Sequence, residues 1–153
     1  MALVSVGAFA VILDAEGRVL LCHRRDLDLW NLPGGRCEMM ESGAVALARE
    51  MREEIGAEVR VERLLWAVES FFDYQENHYH EIGFYFLMTL PPASQLLALD
   101  RTFIGYEPTC TLIYRWHRLD ALETVPLYPV FLRTGLRALP ATPAHILDCD
   151  GLG

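Results

Sequence analysis

The sequence predicts an α/β fold, a three-layer α/β/α sandwich on a mixed sheet, and three observations predict it. Strand-like apolar runs lie on both sides of one amphipathic helical segment. A second helical pattern follows the last strand. With 153 residues, 52% hydrophobic and 22% charged, the whole chain 1–153 reads as one domain large enough to bury a core.

The first strand is expected over residues 3–13, an apolar run closed by the turn signal Asp14-Ala15-Glu16-Gly17. It has no basic leader, and it is too short to cross a bilayer as a helix, which takes about 20 apolar residues. A second strand is expected over 18–24, followed by the turn Leu32-Pro33-Gly34-Gly35. The helix is expected over 43–55, between a Ser42 cap and a Gly56 stop. On a helical wheel with Glu50 at zero, Ala44, Leu47, Ala48, Met51 and Ile55 fall between about 60° and about 160°. That stripe is expected to face a core, leaving the acidic side to solvent or ligand. Further strands are expected over 58–72, 79–89 and 111–118, with a long loop over 91–110 marked by Pro91-Pro92, Gly105 and Pro108. A second helix is expected over 128–139. Pro129 suits its first turn, Val130, Phe131, Leu132, Leu136 and Leu139 supply apolar surface, and Pro140 stops it.

A net charge of −8 excludes a general binder of nucleic acid polymers or anionic membranes, which need a basic patch. It also implies that an anionic substrate needs a cation. All 13 basic residues are arginines. Cys22, Cys37, Cys110 and Cys149 contain no Cys-x-x-Cys pair, so reduced thiols and a cytoplasmic location are expected.

The chemistry is concentrated on the helix. Glu53 and Glu54 fall at about −60° and about +40° from Glu50, so three carboxylates crowd one face. Like charges at this spacing each cost a few tenths of a kcal/mol, roughly, on an isolated helix. An acidic face alone is ordinarily just solvated, but three carboxylates on one rigid helix also suit a hard ion such as Mg²⁺ or Mn²⁺. Zinc is disfavoured, because no Cys or His joins the cluster. Gly43 and Ala46, small and on the same face, are expected to leave room for a bulky anion. Arg49 reaches Glu53 across one helical turn.

Gly35, Glu41 and Arg49-Glu50-Met51-Arg52-Glu53-Glu54-Ile55-Gly56-Ala57, taken together, resemble the signature box of the Nudix hydrolases. The box departs only at Ala57, where the family usually has a larger aliphatic residue. More loosely, the resemblance extends from about Leu3 to Leu139, through Trp30-Asn31-Leu32-Pro33-Gly34-Gly35 and His80-Glu81-Ile82-Gly83-Phe84. It implies a three-layer α/β/α fold and divalent metal held by Glu50, Glu53, Glu54 and the backbone carbonyl of Gly34. It further implies that Arg49 orients the catalytic glutamates, that Glu41 ties the loop to the helix, and that Gly35 and Gly56 are structural. The implied reaction is attack of water on a phosphorus of a nucleoside diphosphate linked to another group. Family members differ in the general base; Glu54 is the first choice within the box, with Glu107 and Glu81 as outside candidates.

Substrate choice lies outside the box. Arg24 and Arg25 either bind a terminal phosphate or are solvated. Phe71, Phe72 and Tyr74 either stack on a base or pack at strand ends. Trp30 is expected to pack beneath the turn, and His78 and His80, alternating onto one strand face, are expected to be structural. Tyr74 stands at a position where diadenosine polyphosphate hydrolases of the family tend to have tyrosine, and Phe72-Asp73 occupies the place of the proline that tends to mark ADP-ribose hydrolases. Nucleoside triphosphates, dinucleoside polyphosphates, and ADP-ribose or sugar nucleotides all remain open. The rival reading is a domain that senses a nucleotide or binds a partner without cleavage. Homodimers are common in the family, and the sequence does not test that assembly.

Overall fold

A computed structural model describes residues 1–25, 27–98, 103–107 and 110–149. In chain order the elements are β1 (Ala2–Ile12), β2 (Arg18–Arg24), β3 (Leu29–Asn31), β4 (Gly34–Arg36), α1 (Gly43–Ile55), β5 (Arg60–Tyr74) and β6 (Asn77–Thr89). They continue with α2 (Gln95–Ala98), β7 (Phe103–Glu107), β8 (Cys110–Arg118), a 3-10 segment at Leu119–Thr124, α3 (Leu132–Gly135) and β9 (Ala144–Asp148).

The described residues form a mixed sheet in the order β4-β1-β6-β5-β9 and an antiparallel sheet in the order β3-β2-β8-β7. β1 runs parallel to β6, from Ala2 opposite His78 to Ile12 opposite Met88, and β9 runs parallel to β5. β5 and β6 form a long hairpin whose tip residues Gln75 and Glu76 both have positive φ, as two-residue hairpin turns require.

Strand alternation divides the interior in two. Even-numbered β1 residues Ala8, Ala10 and Ile12 join Met88, the α1 residues Ala46, Leu47 and Met51, and Leu20, Cys22, Leu112, Tyr114 and Trp116 of the second sheet. Odd-numbered Val11 joins Leu65, Trp66, Val68 and Tyr85 beneath Leu122, Leu127, Leu132 and Leu136. Helical segments therefore cover both faces of the mixed sheet, the α/β/α arrangement expected.

The ends of α1 follow from local chemistry. Ser42 Oγ accepts the Val45 N–H at 3.3 Å, and Gly56, at φ 64°, closes the helix with its N–H on the Arg52 carbonyl. Its orientation corrects the expectation. The buried residues are Ala46, Leu47, Met51 and Glu54, centred near +40° on the wheel rather than near +110°. Small residues let that side sit close to the sheet: Gly43 lies over Phe84 and Phe86, where an added Cβ would come within 3.2 Å of a Phe86 ring carbon. Gly43 and Ala46 thus serve packing and do not hold open a space for an anion.

Two further expectations are corrected. The helix expected over 128–139 shrinks to Leu132–Gly135. Trp30 N–H bonds to the Pro126 carbonyl and Tyr128 N–H to the Trp30 carbonyl, so the preceding chain is drawn alongside β3 as a strand-like bridge. The stretch expected as a loop over 91–110 contains α2 and β7, with Phe103 opposite Tyr114 on β8. Among the described residues no helix is long and apolar enough to cross a membrane.

Candidate active site

The Pro-Gly-Gly turn delivers β4 against β1, with Gly34 opposite Phe9 and Gly35 opposite Ala8. Gly34 has φ 147°, and a Cβ there would lie 2.1 Å from the Ala8 carbonyl oxygen, so only glycine fits. At Gly35 an added Cβ would lie 2.8 Å from Glu50 Cδ and 3.0 Å from each carboxylate oxygen. The bare backbone of Gly35 is thus a cradle for the Glu50 carboxylate.

Arg49 gathers the acids. Its Nε and Nη2 donate to the two oxygens of Glu41 at 2.7 and 2.9 Å, a bidentate pair. Nη1 donates to Glu50 Oε1 at 3.1 Å and to Glu53 Oε2 at 3.2 Å. Glu41 also accepts the Glu38 N–H at 3.0 Å, so one carboxylate holds both the loop and the helix. The Arg49 guanidinium first, and the Glu38 N–H second, hold the Glu41 carboxyl down to about 2. Reciprocally, Glu41 and Glu50 raise the affinity of Arg49 for its proton.

Glu54 has a partner on the second sheet. It is 8% exposed, whereas the Glu53 side chain is 61% exposed. Its Oε2 accepts a hydrogen bond from the hydroxyl of the fully buried Tyr114 on β8. Burial first, then neighbouring Cys22 and Glu54, push the Tyr114 hydroxyl far above its ordinary range, so it remains a donor. Sequence reasoning missed Tyr114. Its signal was the inward alternation of Leu112, Tyr114 and Trp116, which buries a hydroxyl that must find a partner.

Among the described residues, no three His, Cys, Asp or Glu side chains form a ready metal shell. Arg49 Nη1 donates to both Glu50 and Glu53, and the Tyr114 hydroxyl donates to Glu54. The donor set nevertheless fits a hard divalent ion: it consists of carboxylate oxygens on one helix, with the Glu50 carboxylate lying against the bare backbone of Gly35.

The remaining candidates are dispersed. Arg24 ends β2 opposite Leu29, and Arg25 is exposed in the turn that follows. Tyr74 lies at the tip of the β5–β6 hairpin, 6.4 Å from the Tyr79 ring. Glu81 lies on β6, where burial raises its carboxyl and the Arg36 charge opposes the rise. The side chain of Glu107 lies outside the described residues. His80 Nε2 and His145 Nε2 contact the two oxygens of Glu69 at 3.1 and 2.7 Å, and His78 Nδ1 contacts Asp73. Trp30 contacts the His23 ring at a tilt and the His117 ring edge-on, with Arg115 over its own ring.

A glycine turn feeding a carboxylate-bearing helix onto a mixed sheet defines a class of α/β domain. Residues 3–134 match the family model of the NUDIX domain, and the chain belongs to that family. It is similar to the putative 8-oxo-dGTP diphosphatase of Bacillus subtilis (strain 168), 46% identical over 50 residues, 33% of this chain and 34% of that protein. A longer match, 30% identical over 152 residues, covers 95% of this chain and 64% of a CMP-5'-(N-acetyl-N-hydroxy-3-aminopropyl)phosphonate hydrolase from Streptomyces rubellomurinus (strain ATCC 31215). Matches to four curated relatives, the Bacillus diphosphatase among them, span between 34% and 42% of those proteins' length. The fold is shared with the crystal structure of a MutT protein from Methanosarcina mazei Go1, at TM-score 0.62 and 21% identity, over 88% of this chain and 91% of that one.

Proposed function

We propose that the chain is a Nudix pyrophosphohydrolase that uses Mg²⁺ or Mn²⁺ and water to cleave a phosphoanhydride bond of a nucleoside diphosphate derivative. One observation carries the reading: a single arginine, Arg49, gathers Glu41, Glu50 and Glu53 beside the Gly34-Gly35 turn, with Glu54 one residue further along the helix. Glu50, Glu53, Glu54 and the Gly34 carbonyl would hold the ion. The chemistry that such an ion supplies is activation of water and neutralisation of charge on the departing phosphate.

The chain's own residues do the rest. Arg49 sets the rotamers of Glu50 and Glu53 through one guanidinium nitrogen. Gly35 admits the Glu50 carboxylate against the backbone. Exposed Glu53 faces solvent, from which substrate enters. Glu54, the most buried of the three, accepts the proton of the attacking water. Glu81 and Glu107 are the outside candidates for that role, and Arg24, Arg25 and Tyr74 are assigned to the substrate. The substrate classes are nucleoside triphosphates, dinucleoside polyphosphates, and ADP-ribose or sugar nucleotides. Relatives named for 8-oxo-dGTP, ADP-ribose and CTP support the first and third. A reducing cytoplasm suits the free thiols of Cys22, Cys37 and Cys149.

The test is to incubate the purified chain with Mg²⁺ or Mn²⁺ and a panel of these nucleotides, separating the products by chromatography. Cleavage of one class is expected, and the product pair identifies the bridge that is cut. Glu53→Gln and Glu54→Gln are each expected to lower turnover by roughly 100-fold or more with the fold intact by circular dichroism. Near-normal turnover in both would overturn the site assignment. Metal-dependent binding without cleavage of any panel member would favour a nucleotide sensor.

A further inference from the structure

We infer that Tyr114 is a positioning residue for Glu54, setting the orientation of that carboxylate from the second sheet. The inference rests on the reading that Glu54 serves the metal ion or the attacking water.

The argument begins with how differently the acids are held. Arg49 contacts Glu41, Glu50 and Glu53 from within the helix and its own loop. Glu54 accepts a hydrogen bond from a hydroxyl sixty residues away in sequence. That hydroxyl has little freedom. Tyr114 is fully buried, and its backbone is paired on both sides, with Cys22 of β2 and with Phe103 of β7. A phenol ring moves about two torsions, and both are fixed when the ring is enclosed.

The partner's chemistry matters as much as its place. A basic side chain at position 114 would neutralise Glu54 and compete with a cation for it. A phenol supplies one donor and no charge. It therefore orients a buried carboxylate while leaving its negative charge for the ion. A partner that orients a ligand without ligating is typically worth about 10- to 100-fold in metal affinity or activity.

The experiment compares the parent chain, Tyr114→Phe, Glu54→Gln and the double variant. Tyr114→Phe removes one oxygen and keeps the ring that fills the core. Mn²⁺ binding without nucleotide is measured by calorimetry, kcat and KM are measured on a cleaved nucleotide, and thermal melting serves as the structural control. The expected result for Tyr114→Phe is Mn²⁺ binding weakened by about 10-fold and kcat lowered by about 10-fold with KM little changed. Adding Tyr114→Phe to Glu54→Gln is expected to change neither quantity further.

A Tyr114→Phe protein that melts lower yet binds Mn²⁺ and turns over like the parent would overturn the inference, leaving Tyr114 a packing residue. So would equal losses in the presence and absence of Glu54. If Tyr114→Phe has no effect while Glu54→Gln weakens Mn²⁺ binding, the positioning role fails and the site reading stands. Unchanged Mn²⁺ binding and turnover in Glu54→Gln would overturn the site reading and the inference together.

Discussion

Arg49 carries more of the site than any other side chain, because its fork of donors spans three carboxylates at once. Gly35 complements it by leaving the backbone bare under Glu50. Gly35→Ala would place a methyl group 2.8 Å from the Glu50 carboxyl carbon, and the end of a flexible side chain must give way. The expected outcome is stability changed by less than about 1 kcal/mol with kcat lowered by roughly 100-fold, as the metal-ligand role proposed for Glu50 requires. Steady-state kinetics beside thermal melting check it, and normal kcat would show that the cradle is incidental. At this scale the sequence was legible wherever the chemistry is local: Arg49 reaches Glu53 across one turn as their spacing predicts, and Gly35, Glu41, Arg49 and Glu50, within sixteen positions, meet in line with the resemblance. Tyr114 was not legible as a partner of Glu54, because a hydroxyl on a distant strand can be assigned a partner only once the sheets are stacked.

The element that carries the site is α1, and its ends were legible to the residue. Ser42 and Gly56 act through their immediate neighbours, and no distant contact is needed to decide them. Gly56 adopts φ 64° in open space, so Gly56→Ala meets backbone strain rather than a collision. A loss of about 1 kcal/mol is expected in urea unfolding, with activity intact well below the melting temperature. Loss of activity without loss of stability would show that Gly56 does more than end the helix. Which face of α1 turns inward was legible in part: Leu47 and Met51 of the expected stripe are buried and Ile55 packs on the core, but the buried face is rotated toward Ala46 and Glu54. Apolar periodicity counts large side chains, whereas Gly43 lies over Phe84 and Phe86 and Ala46 and Glu54 are buried with Leu47 and Met51. The shortened C-terminal helix has a similar cause: the pairing of residues 126–128 with Trp30 is non-local and overrides a favourable local pattern.

Across the whole molecule, the mixed sheet and its two helical coverings were legible from the order of long elements. The short strands β3, β4, β7 and β9 were not, since runs of three to five residues leave little periodicity. β9 is fastened to the sheet by Glu69, which bridges His80 and His145 across three strands. Those hydrogen bonds, His145 first and His80 second, lower the Glu69 carboxyl below its ordinary value. The contribution is therefore present above the unfolded carboxylate's pKa and is lost as pH falls through the lowered folded value. In hydrogen exchange, β9 amides of Glu69→Gln are expected to open faster than the parent's at neutral pH, with the difference vanishing in acid; equal exchange at neutral pH would rule out the clamp. The burial of Glu54 carries a consequence at this same scale. A carboxylate placed in the core lowers stability unless its hydrogen bonds compensate, and an apolar residue of similar size there would exchange that cost for a buried Tyr114 hydroxyl deprived of this acceptor. On the role proposed for Glu54, durability and turnover set separate demands on one position, and a lineage released from catalysis would exchange the acid and its tyrosine together rather than singly.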